Sequence, residues 1–586
     1  MKKLVPILLA VFFAACQAEQ PPTDAPADVT ADTPSPADAM NDIADRYYAW
    51  TLERFPEQAY FAAVELERHD GMLDNSPEAL AAAHAIEDEL LAAVEAINAD
   101  DLVGKPEWIA KALLEQELRS GVARRICREE LWNISQMGGW HSGYSQLATL
   151  QPVETPELRE QALARWAKFP AFVDQEVANL KSGVEQGYTV PKAVAQRVID
   201  QIDGLLALPT ENSPFYSPAA RANDEAFAGS MREILEGGIV PALQRARDYI
   251  ADEYLPVARE ALSITAIPNG AECYEAMLRS YTTIDRSGKG VYELGQATVA
   301  ANKAGVIELG RAAYETEDFS EILERARNDP GDRFESREEL LEFSKAMVER
   351  AAVEMPNWVG KMPEQAVAVV PFEEHEEGTG RSAHYNPGNA NRPAEYRIPL
   401  DKPEEQSRGG AETVAFHEAW PGHHLQVATF QSVEGLHPVT QLLWFSGPGE
   451  GWARYSEALA EEMGLYESVT GPITRRAWPA RGMVVDPGIH LFGWTREQAR
   501  DYMNESGRFP ESMGDDMVDR IAILPGQLTA YDSGGLEILA LRRQAEEALG
   551  DEFDIREFHD RVLENGTIPL GNLRQHIEAW IASKQD

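Results

Sequence analysis

The sequence predicts a mostly α-helical protein with one small β element, and three observations carry that reading. Amphipathic runs with helical periodicity recur from Asp42 onward, strand-like segments are confined to two short stretches, and no internal repeat divides the pattern. Ser76-Pro77-Glu78 marks a helix start, a capping serine followed by proline at the first helical position, ahead of an Ala/Leu/Glu run to about Ile97. Comparable runs predict helices at about 106–131, 156–186, 191–207, 218–263, 289–315 and 335–355. The strand signal lies at 366–372 (AVAVVPF), a short apolar run, and at 395–400 (EYRIPL), which alternates weakly; a small hairpin or sheet is expected there. The stretch between them carries glycines, prolines and asparagines and reads as loop. Helices are expected again at about 410–432, 448–465, 495–504, 533–549 and 568–583.

At 586 residues the chain exceeds the ~300 at which one hydrophobic core stops growing, so subdomains or one large helical body are expected. Lys and Arg number 53 against 97 Asp and Glu, a net charge of −44. A surface that acidic repels phosphate backbones, which excludes nucleic acid as a partner.

The N-terminus is an address. Met1-Lys2-Lys3 precedes an apolar run from Leu4 to Phe13, which is the pattern of a secretory signal and too short to span a bilayer. Ala14-Ala15-Cys16 resembles the lipobox of bacterial lipoproteins, which implies a signal peptide over 1–16 and lipidation at Cys16. Gln17 after the cysteine points, by the habit of such proteins, to the outer membrane and a body facing the periplasm. Residues 17–41 are rich in Pro, Ala, Asp and Thr and are expected to be a disordered tether. No later stretch reaches ~18 uninterrupted apolar residues, so contact with the membrane is expected through the lipid anchor alone. Whether Cys127 and Cys273 pair or remain buried thiols is left open by the sequence.

Of twelve histidines, three fall within the run His417-Glu418-Ala419-Trp420-Pro421-Gly422-His423-His424. Imidazole is the commonest zinc ligand, and a Glu directly after the first His is the general-base position of H-E-x-x-H metallopeptidases. Here the second histidine lies six or seven positions on. In a regular helix neither could share an ion with His417, because i+6 points ~240° away and i+7 sits ~10.5 Å further along the axis. Pro421 changes this: its ring clashes with the carbonyl of His417, four residues back, and Gly422 opens backbone conformations closed to other residues. A local bulge could then bring His423 to the place of the second ligand. Further along, Gly447-Pro448-Gly449-Glu450-Gly451-Trp452-Ala453-Arg454-Tyr455-Ser456-Glu457 opens another helix. Glu450 there would complete a His₂Glu set, with Glu418 as base and Glu457 supporting a ligand histidine, though a Glu at a helix start more often only complements the helix dipole.

These motifs resemble a bacterial lipoprotein family grouped as domain of unknown function 885, whose signature H-E-x-x-P-G-H-H-x-Q and E-G-W-A-x-Y-x-E is matched by His417–Gln426 and Glu450–Glu457. Residues 484–490 (VVDPGIH), 493–499 (GWTREQA), Pro525-Gly526-Gln527, Ala530-Tyr531 and 553–570 fit as well, with Pro487 where the family more often has Thr beside expected substrate contacts. The family is similar to the helical gluzincin metallopeptidases of the thimet oligopeptidase and angiotensin-converting enzyme group. That resemblance implies a two-lobed metallopeptidase-like body over 42–583, with an N-terminal lobe 42–360 and a catalytic lobe 361–583, and a small β element before the metal-site helix. It favours His423 over His424 as second ligand, so that His417, His423 and Glu450 hold one Zn²⁺ per chain. It also offers Tyr531 as oxyanion donor beside the base Glu418. His424, Glu457, His490, Arg542 and Tyr385 are expected around the metal or substrate, with Arg542 taking a peptide carboxylate and the segment of His384 and Tyr385 forming an edge along which a peptide lies. The function expected is hydrolysis of peptides in the cell envelope by metal-activated water. Two alternatives stand beside it: hydrolysis of a non-peptide amide or ester, and a non-catalytic binding lipoprotein on the same fold.

Overall fold

A computed structural model describes residues 34–62, 64–372, 377, 382–389, 392–507 and 513–585, and it is 71% helix and 4% strand, which settles the mostly helical class. The helices that build or brace the site are α1 (Pro36–Arg54), α2 (Pro106–Arg124), α3 (Gly288–Tyr314), α4 (Arg408–Glu418), α5 (His423–Gln431), α6 (Ser446–Glu462), α7 (Arg481–His490) and α8 (Ala530–Leu549). The start marked by Ser76 is present: its hydroxyl accepts from the Ala79 amide at 3.2 Å and opens Pro77–Glu95. The run expected over 156–186 divides into Pro156–Trp166 and Phe169–Gln186, with Pro170 in the first turn of the second, where its missing N–H costs no helical bond. The run over 218–263 is not one helix but a series of short ones joined through two wide turns, Leu235–Ile239 and Ile250–Tyr254, and it ends by Val257.

α7 has no counterpart among the expected helices. It contains Gly482, Pro487 and Gly488, all poor helix formers, yet every one of its ten residues is buried, and packing outweighs propensity. α3 lies against it, with the Gly295 position so close to Met483 that a side chain there would collide.

The β element differs from the expected hairpin. β1 (Val367–Pro371) and β3 (Ala394–Ile398) run parallel, and β2 (His384–Asn386), inside the segment that reads as loop, pairs antiparallel with β3. The order is β1-β3-β2, so β2 is an edge strand. A parallel pair needs a long crossover, and the residues between β1 and β3 supply both that crossover and the third strand.

The apolar cores do not divide at residue 360. One core joins Met40, Tyr47, Leu113 and Leu114 of α1 and α2 to Phe416, Leu425 and Trp452 of the motif helices. A second gathers Trp166, Phe169, Val198 and Tyr274 and takes in Met483 and Val484 of α7. The N-terminal helices are thus a wall of the same core as the motif helices, and lobes at 42–360 and 361–583 are not separate packing units. The expected tether is also shorter than 17–41, because α1 starts at Pro36 and buries Met40 completely. Cys16 and the rest of the expected signal lie outside the described residues. Among the described residues no helix is long and apolar enough to cross a membrane.

Cys127 and Cys273 are joined by a disulfide, both residues fully buried in the second core. It closes a loop across 146 residues of sequence and so restricts the unfolded chain. Replacing both cysteines by alanine is expected to lower stability by about 2–5 kcal/mol in urea unfolding; an unchanged midpoint would mean the bond does not form.

Candidate metal centre

The centre begins with a broken helix. Ser407 caps α4 through its hydroxyl, which accepts from the Gly410 amide at 2.9 Å, and the helix ends at Glu418. Ala419 (φ −108°, ψ −106°), a cis peptide between Trp420 and Pro421, and Gly422 (φ −79°, ψ −132°) turn the chain before α5 starts at His423. A Cβ on Gly422 would sit 1.8 Å from the His417 carbonyl oxygen, so only glycine can fold back this closely. The break is held by α6: the Trp452 indole donates to the carbonyls of Pro421 at 2.9 Å and Gly422 at 3.2 Å, and the Ser456 hydroxyl to Pro421 at 3.2 Å. These bonds satisfy carbonyls that a continuous helix would have paired internally.

The result is convergence. Nε2 of His417 and Nε2 of His423 each lie 3.4 Å from the same oxygen of Glu450, and the three donor atoms all lie within 4.8 Å of one another. Two ligand atoms ~2.1 Å from a tetrahedral ion are separated by ~3.4 Å, so this set fits a zinc-sized cation. Nδ1 of His417 faces the Glu457 carboxylate at 2.9 Å, which leaves Nε2 for the centre. Glu457 is in turn held by Arg454 at 2.8 Å, and Arg454 reaches Asp532 at 3.1 Å. That last pair depends on helix spacing: α6 and α8 cross so closely that a Cβ on Gly451 would come within 2.6 Å of the Gly534 backbone.

The charges are strongly coupled. Burial opposes protonation of His417, but hydrogen bonds to Glu450 and Glu457 outweigh it and raise the imidazole to about 10. Burial would lift Glu450, yet His417 and His423 hold it far below the usual carboxylate range. Glu418 is raised by burial, against the pull of His417 and His423, and one of its oxygens accepts from the Tyr385 amide of β2 at 2.9 Å.

His424 does not join the centre. Its Nε2 pairs with the Gln365 carbonyl at 2.9 Å and its Nδ1 with the Tyr385 hydroxyl at 3.2 Å, and burial lowers it to about 4, so it ties α5 to the sheet as a neutral ring. Tyr385 therefore acts here by positioning Glu418 and His424. Tyr531 lines the same cleft of about 1020 Å³ as the three donors. Its hydroxyl lies 3.5 Å from Arg520, and it is raised by burial and then by the charge of Glu450.

Two expected contacts are corrected. His490 is buried away from the cleft, Nδ1 accepting from the Ile264 amide and Nε2 facing the Ile521 carbonyl, both at 3.1 Å; burial lowers it to about 3. Arg542 pairs with Glu462 and Glu546 at 2.9 Å each and with the Tyr455 hydroxyl at 3.1 Å, outside the cleft lining. Pro487 likewise lies within fully buried α7, next to Asp486, whose carboxylate accepts from Tyr274 and from the Gly526 amide. Residues not expected are Arg454, Asp532, Arg520 and Trp444, whose ring lies 6.0 Å from that of His423. Arg454 was readable, three positions before Glu457 on one helix face; Trp444 and Arg520 carry no such spacing.

Fold and site together define a mostly helical protein with a His/His/Glu donor set facing a broad cleft. The chain belongs to the bacterial family of unknown function DUF885, which it matches over residues 56–577. Its fold is that of a candidate lipoprotein from Colwellia psychrerythraea, 23% identical, at a TM-score of 0.86 over 94% of this chain and 100% of that one. A candidate lipoprotein of unknown function from Shewanella oneidensis is 19% identical, with a TM-score of 0.76 over 93% of this chain and 99% of that one. No curated protein matches the chain.

If Glu457 orients His417, Glu457→Gln should weaken binding of zinc by about 10–100-fold in competition with a chromophoric chelator, with unchanged far-UV circular dichroism. Unchanged affinity would remove Glu457 from the centre.

Proposed function

We propose that this protein is a zinc-dependent peptidase of the cell envelope, similar to the helical gluzincins, anchored through a lipid on Cys16. The observation that carries the reading is the pairing of Glu418 with the His417, His423 and Glu450 donor set in one cleft. The lipobox-like Ala14-Ala15-Cys16 and the description of both structural neighbours as candidate lipoproteins support the address.

His417, His423 and Glu450 would hold the ion, two nitrogens and one oxygen, the donor chemistry of catalytic zinc. When bound there, zinc supplies Lewis acidity, lowering the pKa of water and polarising a carbonyl. Glu418 takes the proton from the attacking water and returns it to the leaving amine, with its carboxylate held by the Tyr385 amide at 2.9 Å. The Tyr531 hydroxyl donates to the oxyanion of the tetrahedral intermediate. β2 is an edge strand whose His384 and Tyr385 line the cleft; its outward amide, that of Tyr385, is held by Glu418, and the strand gives an extended peptide an edge to lie along, which favours peptides over smaller amides and esters.

Glu418→Gln keeps size and hydrogen bonding but removes the base. Hydrolysis of a peptide library, read by mass spectrometry, should fall by about 100–10,000-fold while bound metal is retained. Full hydrolysis in that variant would contradict the role of Glu418.

A further inference from the structure

Four arginines line the cleft: Arg327 is exposed, Arg333 donates to the carbonyls of Glu405 and Arg327, Arg454 is ion-paired, and Arg520 is half-buried among neutral side chains. Arg520 lines it from Met513–Ile523, and its hydrogen bonds are to neutral groups: the Gln527 side-chain oxygen at 2.7 Å and the Tyr531 hydroxyl at 3.5 Å. Its Nε is buried with no hydrogen-bond partner, and among the described residues no carboxylate lies within ion-pair distance. Arg454, which also lines the cleft, is treated differently. Arg454 is matched by Glu457 at 2.8 Å and Asp532 at 3.1 Å. Buried Arg165 and Arg259 have no close carboxylate either, but they donate to backbone carbonyls and do not line the cleft. In a chain with 97 carboxylates and a net charge of −44, an arginine without an acidic partner is not short of candidates to pair with.

A partly desolvated guanidinium facing a cleft is costly unless an anion arrives, and the terminal nitrogen not engaged with Gln527 and Tyr531 remains to donate to a carboxylate. Its position is informative too. Arg520 touches Tyr531, and Tyr531 lies close enough to Glu450 to feel its charge, so an anion on Arg520 would lie one step along the cleft from the donor set.

We infer that Arg520 receives the free C-terminal carboxylate of the substrate, so that the protein removes short fragments from peptide C-termini instead of cutting within long chains. This rests on the peptidase reading above and adds to it the class of substrate. It also relocates the carboxylate contact expected at Arg542, whose guanidinium is already taken by Glu462 and Glu546. The inference requires no new chemistry: the bond broken is still the amide, and Arg520 holds the carboxylate without exchanging a proton.

The test uses the full chain, loaded with zinc, and pairs of peptides identical except for a free acid or an amide at the C-terminus. The wild type should cleave the acid form about 10–100-fold more efficiently in kcat/KM, the worth of a charge-assisted hydrogen bond. Arg520→Gln should bring that ratio to about one, chiefly by raising KM for the acid form, and Arg520→Lys should restore part of it. Equal cleavage of acid and amide by the wild type, or a ratio that survives in Arg520→Gln, overturns the inference. If the wild type cleaves neither peptide, the peptidase reading fails instead. Calorimetric binding of the same peptide pair then decides the anchor: an acid preference lost in Arg520→Gln upholds it, and equal affinities overturn it.

Discussion

The site depends on one backbone contact, the fold of Gly422 against the carbonyl of His417. A regular helix through 417–424 would carry the two imidazoles to different faces or different levels. The turn at 419–422 instead brings their Nε2 atoms to a single oxygen of Glu450, 3.4 Å from each. Pro421 ends the hydrogen-bond ladder, Gly422 tolerates the approach, and Trp452 and Ser456 of α6 take up the freed carbonyls. α6 serves two purposes at once: Glu450, Arg454 and Glu457 look into the cleft, while Trp452 and Ser456 brace the turn.

The electrostatics follow from that packing. Glu418, Glu450, Glu457 and Asp532 are gathered around two imidazoles and Arg454, an excess of negative charge out of bulk water. Among these groups the His417 imidazole, bonded to Glu450 and Glu457 against the cost of its burial, is raised to about 10. A cation taken up by the same donors would compete with that proton, and its binding would then be linked to proton release. The acidity of the whole chain and the local acidity of the centre act in the same direction, favouring cations.

The legible part of the sequence was what depends on chain-local chemistry. The helix start at Ser76, the break at Pro421-Gly422 and the candidacy of His417 follow from residue types at fixed spacing, whereas the choice of His423 over His424 and of Glu450 comes from the family resemblance. What escaped depends on distant packing. α7 forms despite Pro487 and two glycines because all of it is buried, and this same burial removes His490 from the cleft. β1 and β3 pair parallel because the segment between them contributes a strand of only three residues, too short to announce itself by alternation. The lobe boundary at 360 failed because α1 and α2 share a core with the motif helices, a contact between residues hundreds of positions apart. Arg542 and Arg520 are indistinguishable by pattern, and only their partners separate them.

The central claim is that three side chains on a broken helix and its neighbour form a metal centre. The most direct measurement is elemental analysis of the purified protein after exposure to zinc and removal of excess, beside His417→Ala. The account predicts about one zinc per chain in the wild type and none held by the variant. Absence of stoichiometric metal from the wild type, or equal metal in both, would contradict it.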